Sequence, residues 1–158
     1  MDMEYERYRY DQASSYLNYV KTLSDRVNAK NDAVEDYRAR LACIRGMDYS
    51  AEKIQVQSSG DAIPEGIARL LELIDECTDL TCKYAKEQKR AMEVIGNLSR
   101  YEYEQILEKH YLRNKDWGTI ASEMNYTYHY VMRLRREAIV ELYDYVPCEF
   151  RDKMQPAL

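Results

Sequence analysis

Three arginines near the C-terminal end form the group whose spacing most clearly suggests chemistry. Arg133, Arg135 and Arg136 lie in the stretch 127–136, which contains three arginines and no acidic residue, giving a local charge of +3. Guanidinium groups bind phosphate and can pair in bidentate fashion with guanine. The whole chain carries a net charge of -5. A basic stretch in an acidic protein therefore indicates a localised surface for an anionic partner.

The same stretch supplies the other residues that we expect to meet double-stranded DNA. Arg133 is the candidate for reading a base, whereas Arg135 and Arg136 are expected to contact phosphate, which positions a protein without specifying sequence. Arg136 has an alternative in a salt bridge with Glu137 or Glu141. The complete predicted set is Thr127, Tyr128, His129, Met132, Arg133, Arg135 and Arg136.

Catalytic and metal-binding chemistry find little support in the sequence. There is no glycine-rich phosphate loop and no nucleophile-elbow motif. The four cysteines, Cys43, Cys77, Cys82 and Cys148, form no C-x-x-C pair, and only two histidines are present. We expect a protein that is not an enzyme, holds no cofactor or metal, and keeps its cysteines reduced.

Two short helices joined by a tight turn are predicted to present the basic stretch. Asp116 is placed to cap the first helix and Thr127 the second, and Asn125 sits where the turn requires a positive φ. This is the helix-turn-helix layout, with the second helix running from Tyr128 to about Tyr143. The residues expected to be buried are Ile120, Ala121, Met124, Val131, Leu134, Ala138 and Leu142.

Another helix is predicted just before this motif. Ser99 and Glu102 have the spacing of a capping box, and Leu98 and Tyr103 that of a hydrophobic staple. The helix should run to about Tyr111. Its inward-facing residues are Ile106, Leu107, Tyr111 and Leu112, and we expect Trp117 to be core and His110 to be structural or without a role.

Two long heptad patterns precede the motif, over 13–44 and 63–95. Apolar or helix-compatible residues recur alternately every three and four positions, which predicts an antiparallel helical hairpin. Gly46 is expected just past the first helix, Asp61 as the cap of the second, and 47–61 as the loop. Leu71, Leu73 and Leu80 lie outside the seam, and a homodimer forming a four-helix bundle would cover them. The predicted seams are Ala13, Tyr16, Val20, Leu23, Val27, Lys30, Val34, Tyr37, Leu41 and Ile44, and Ile63, Ile67, Leu70, Ile74, Cys77, Thr81, Tyr84, Gln88, Ala91 and Ile95.

The predicted fold is therefore all-α, a long antiparallel coiled-coil hairpin followed by a helix-turn-helix. We expect a hairpin and oligomerisation region over 1–96 with its loop at about 46–61, a DNA-binding domain over 97–146, and a flexible tail over 147–158. Tyr5, Tyr8 and Tyr10 suggest either a partner surface or, as we prefer, the frayed start of the first helix. No apolar run approaches the roughly 20 residues that span a bilayer, and the N-terminus lacks an apolar signal core. These features favour a cytoplasmic protein without a membrane partner.

The C-terminal pattern resembles sigma factor region four, which reads the −35 promoter element. The resemblance rests on Trp117, Ile120-Ala121, the turn Met124–Thr127 and the spaced apolar residues of the second helix. It is closer still to the sigma-like tail of phage and prophage proteins from Gram-positive bacteria grouped with ArpU- and RinA-type late-gene regulators. The linker 56–61 is also similar to theirs. The resemblance implies an N-terminal coiled coil and DNA reading by Tyr128, His129, Met132 and Arg133, although Tyr128 and Met132 depart from the usual charged or amide residues.

Three functions compete. The first is a phage- or prophage-encoded transcriptional regulator that binds promoter DNA as a dimer. The second is a packaging protein similar to a phage small terminase subunit, which would form a ring of many subunits. The third is an interaction protein that contacts RNA polymerase without reading DNA, which the acidic net charge favours.

Overall fold

The computed structural model describes residues 2–47 and 62–151, with side chains over 3–43 and 64–151, and is helical throughout without strands in those ranges. Two long helices, α1 (Asp2–Met47) and α2 (Ala62–Ile95), pack antiparallel. They are followed by α3 (Tyr101–Leu107), which continues into a π-helical turn (Glu108–Leu112), and by α4 (Trp117–Met124) and α5 (Tyr128–Leu142). Two 3-10 turns, Tyr143–Tyr145 and Cys148–Phe150, end the described chain. The predicted all-α class and antiparallel hairpin are confirmed.

The predicted loop ends differ in detail or fall outside the described residues. α1 runs through Gly46 to Met47, so this glycine lies in the last helical turn and not just beyond it. The Asp61 cap and positions 48–61 lie outside the described residues. Across the described chain, no helix is long and apolar enough to cross a membrane.

The chain divides into two compact units. One, the terminal unit, comprises 1–24 and 85–158, and the other, the hairpin unit, comprises 25–84. This division does not follow the predicted boundary at 96/97, because the first turns of α1 and the last turns of α2 pack with the C-terminal helices.

The seam predicted for α1 is largely buried. Ala13, Tyr16, Val20, Leu23, Val27 and Val34 are buried, and Tyr37 and Leu41 are half-buried. The seam predicted for α2 is less accurate, because Cys77, Ala91 and Ile95 are buried whereas Ile67 and Thr81 are exposed.

Within the hairpin unit, three contacts define the antiparallel register. The Lys30 ammonium lies 2.7 Å from a Glu76 carboxylate, so this polar seam residue gains a partner across the helices. The Cys77 thiol donates to Asn31 Oδ1 at 2.9 Å. A Cβ on Gly66 would stand 2.7 Å from Leu41 Cδ2, so α1 and α2 approach closely there and a larger residue would make the Leu41 side chain shift.

In the terminal unit, α1, α3 and α5 all contribute side chains to the core. Ile106, Leu107, Tyr111 and Leu112 are buried as predicted, as are Val131, Leu134, Ala138 and Leu142. Tyr16 of α1 is fully buried, and burial raises its pKa to about 12.

The first turns of α1 and residues 147–151 make packing contacts that the sequence did not suggest. Tyr8 packs edge-on against Tyr143 at 6.0 Å, so the first turns of α1 are packed helix and not a frayed start. Phe150 lies 5.0 Å from the rings of both Tyr16 and Tyr19. The predicted flexible tail is therefore packed over 147–151, since an aromatic side chain anchors it to α1.

Candidate nucleic-acid interface

Local side-chain chemistry builds the α4–turn–α5 motif. Asp116 caps α4 by accepting from Thr119 N at 2.9 Å and from Thr119 Oγ1 at 2.6 Å, and these hydrogen bonds lower its pKa. Asn125 ends α4 in the left-handed region, with φ 56° and ψ 38°. Thr127 caps α5 by accepting from Tyr130 N at 3.3 Å. All three predicted roles are confirmed, and together they fix the angle at which α5 leaves α4.

α5 has one buried stripe and one outward face. Ile120 and Ala121 of α4 are buried against it, whereas Met124 is only half-buried. Of the seven predicted DNA-binding residues, Thr127, Tyr128, His129, Arg133 and Arg136 are exposed, and Met132 is half-buried. These five exposed residues lie at the N-cap and within the first nine residues of α5.

Arg135 is half-buried, and it lines a cleft together with Met132 and Arg136. Its guanidinium sits 4.9 Å from the centre of the Trp117 ring, and its Nε is buried without a hydrogen-bond partner. Position 135 follows Val131 by four residues and precedes Ala138 by three, which places it on the buried stripe. That spacing was the signal that could have identified it as a packing residue.

Trp117 and His110 stack on each other on the inner side of the motif. The two rings stack at 3.8 Å, and His110 Nδ1 lies 2.7 Å from the Lys115 carbonyl oxygen, so Nδ1–H donates there. Burial is the main cause that lowers the pKa of His110. The neutral imidazole therefore belongs to the folded motif, in agreement with the structural role predicted for it.

The two exposed arginines have weak carboxylate neighbours. Arg133 Nε is 3.7 Å from Glu137, and its guanidinium lies 5.0 Å from the centre of the Tyr130 ring. Arg136 is 3.8 Å from Glu6 of α1, a partner that the sequence did not suggest. Exposed pairs at such distances contribute little, so both guanidinium groups can exchange these partners for phosphate.

Sequence reasoning missed the contribution of α1 to this surface. Met3, Glu6, Arg7 and Tyr10 line a cleft of about 540 Å³ with Met132 and Arg136. The first turns of α1 therefore flank α5 on one side and place a carboxylate next to an expected phosphate contact. No pattern within 1–12 alone signals this, because the contact joins opposite ends of the chain.

Arg100 is a second residue that the sequence did not single out. Its guanidinium lies 5.0 Å from the centre of the Tyr103 ring, and its side-chain hydrogen bonds to Tyr103 and Tyr130 raise its pKa. It thus stands on the flank of α5 opposite α1. The predicted capping box is wrong, because α3 begins after Arg100 without a side-chain cap and the Ser99 hydroxyl donates to Glu141 at 2.9 Å.

Within 3–43 and 64–151, no cluster of histidine, cysteine and carboxylate groups could hold a metal ion. The described part of the chain holds its four cysteines as free thiols, of which Cys77 is buried. No known protein family, characterised protein or solved structure matches this chain.

Proposed function

We propose that this protein is a sequence-specific transcriptional regulator that binds double-stranded DNA by inserting α5 into the major groove. The observation that carries the proposal is the capped α4–turn–α5 motif, which leaves Tyr128, His129, Arg133 and Arg136 exposed on one helix. The resemblance to sigma region four and to ArpU- and RinA-type late regulators supports a cytoplasmic protein of phage or prophage origin that acts as a dimer.

The exposed residues have different proposed roles. Arg133 lies one turn and a half into α5 and reads a guanine edge, a contact that discriminates by about 1–3 kcal/mol. Arg136 lies beside α1 and contacts phosphate. Arg135 supports the motif from within by packing on Trp117, so its replacement would weaken folding as well as binding.

One observation favours a second candidate, an RNA polymerase-binding protein that does not read DNA. Glu137 and Glu6 lie beside Arg133 and Arg136 and reduce the net positive charge of the face. Such a mixed surface also suits a protein partner.

A selection of bound fragments from random duplex DNA at near-physiological salt tests the proposal. The wild type should enrich a motif with two half-sites, and Arg133→Ala should lose preference at one position in each half-site. Arg113→Ala is the matched control, because Arg113 is exposed, pairs with Glu108 at 2.6 Å and lies outside α5. A wild type that enriches nothing would refute DNA reading, and polymerase capture from nuclease-treated lysate would then support the second candidate.

A further inference from the structure

The hairpin unit has a very thin core. Among its described residues, Val27, Val34 and Cys77 are the only buried apolar side chains. Two helices can cover only the stripe that faces the partner, and a small unit with so few buried side chains is poorly stabilised by itself. A further surface that packs on this unit would therefore stabilise it.

α2 carries an apolar stripe that the described residues leave largely exposed, and such a surface could pack on it. Ile67, Leu71, Ile74, Thr78 and Cys82 are spaced by four, three, four and four residues, which places them along one side of the helix. None is charged, and the stripe extends roughly 22 Å at about 1.5 Å per residue. Ile67 is 38% and Leu71 57% exposed, although both are large aliphatic side chains. The remaining exposed side of the helix is rich in charge, with Glu65, Arg69, Glu72, Asp75, Glu76, Asp79 and Lys83.

A groove between α1 and α2 adjoins the stripe. It has a volume of about 340 Å³, and its lining includes Val34, Ile74, Cys77 and Thr81. The surface therefore combines a ridge, formed by Ile67 and Leu71, with a neighbouring groove that has an apolar floor. Helices pack by fitting the ridges of one into the grooves of another.

We propose that the stripe and groove form a two-fold symmetric interface with a second copy of this chain. A ridge and a groove on one surface are self-complementary, as an isologous dimer contact requires. Local charge pairing also favours a like partner, because Glu35 pairs with Arg38 at 3.1 Å and Arg69 with Glu72 at 3.0 Å. Each of these two pairs is neutral as a unit, so two identical copies bring no like charges together at these two places. The inference rests on the dimeric part of the proposed function and is independent of its DNA-binding part.

Light scattering at micromolar concentration tests the interface. The wild type should have the mass of a dimer, and its melting temperature should rise with protein concentration. Leu71→Lys should give a monomer with a lower melting temperature that no longer depends on concentration. Tyr101→Lys is the control, since Tyr101 is a 69% exposed aromatic residue outside the stripe, and it should stay dimeric. A dimeric Leu71→Lys variant or a monomeric wild type would overturn the proposal.

Thiol labelling of the wild type tests the location without a substitution. Cys82 and Cys148 are both exposed in the single chain. A second copy on the stripe should make maleimide labelling of Cys82 several-fold slower than that of Cys148, as followed by mass spectrometry, and dilution should remove the difference. Equal labelling rates of Cys82 and Cys148 at high protein concentration would show that the interface does not lie on the stripe.

The outcomes separate the two proposals. A dimer that binds no DNA would keep this interface and refute the DNA-binding function. A monomer that enriches a single half-site would refute this interface and keep the DNA-binding function. A ring of many subunits would overturn the two-fold interface and favour the packaging function.

Discussion

Glu6 lies where it should limit the affinity of α5 for DNA, and its replacement gives a sharp test. Glu6→Gln removes the carboxylate that lies 3.8 Å from Arg136. Two unit charges at that distance interact by about 1 kcal/mol in water, and exposed pairs typically contribute 0.2–1 kcal/mol. Since 1.4 kcal/mol corresponds to tenfold, DNA affinity should increase by about 1.5- to 5-fold.

Salt titrations of DNA binding would show whether the gain in affinity of Glu6→Gln comes from Arg136. Freeing one more guanidinium for phosphate should steepen the slope of log K against log salt concentration by up to about 0.9. Glu4→Gln makes the same charge change at an exposed position on α1 and is the matched control. Its effect on affinity and slope should be clearly smaller.

A double variant tests whether Glu6 acts on DNA binding through Arg136. If Glu6 acts through Arg136, adding Glu6→Gln to Arg136→Ala should leave the affinity of the Arg136→Ala protein nearly unchanged. Equal gains from Glu4→Gln and Glu6→Gln would show that only net charge matters. No gain from Glu6→Gln would refute the assignment of Arg136 as a phosphate contact.

Three further predictions concern the stability of the motif. Thr127→Ala removes the α5 cap and should lower the free energy of unfolding by about 1 kcal/mol in denaturant titrations, against almost no change for Ser122→Ala, which is exposed within α4. Leu134→Ala opens a cavity at a fully buried position and should cost about 2–5 kcal/mol, and a smaller loss would mean that the core around it collapses. Burial lowers the pKa of His110 below its usual 6.5, so its contribution to stability should be present above about pH 6.5 and be lost as pH falls through the folded-state pKa. Melting followed by the fluorescence of Trp117 should show this loss in the wild type but not in His110→Phe, and identical pH dependence of both would refute it.

The sequence predicted best the features that depend on near neighbours. Asp116, Asn125 and Thr127 each act within three or four residues of their own position, and each does what its type suggested. The apolar stripe of α5 was likewise readable, because helical spacing alone decides which residues share a face.

The failures involve competition between local and distant partners. Ser99 has a possible local partner in Glu102, but its backbone N–H and hydroxyl both donate to Glu141, 42 residues away. The guanidinium of Arg135 packs on the Trp117 ring, a contact that its predicted role at phosphate did not indicate. Glu6 and Arg100 reach α5 only through the tertiary fold, so no local pattern could place them at the candidate interface.

The contacts of the first turns of α1 with Asp144 and Phe150 have a consequence for biosynthesis. Arg9 donates to Asp144 across a sequence separation of 135 residues, and Tyr16 packs on Phe150. The first turns of α1 can meet these partners only after residue 150 has been synthesised, and closing so long a loop is entropically costly. Until then the core around Tyr16 is incomplete, so the nascent chain exposes apolar surface that a chaperone can bind. A chain that stops before residue 140 would keep that surface exposed and be a ready substrate for proteolysis.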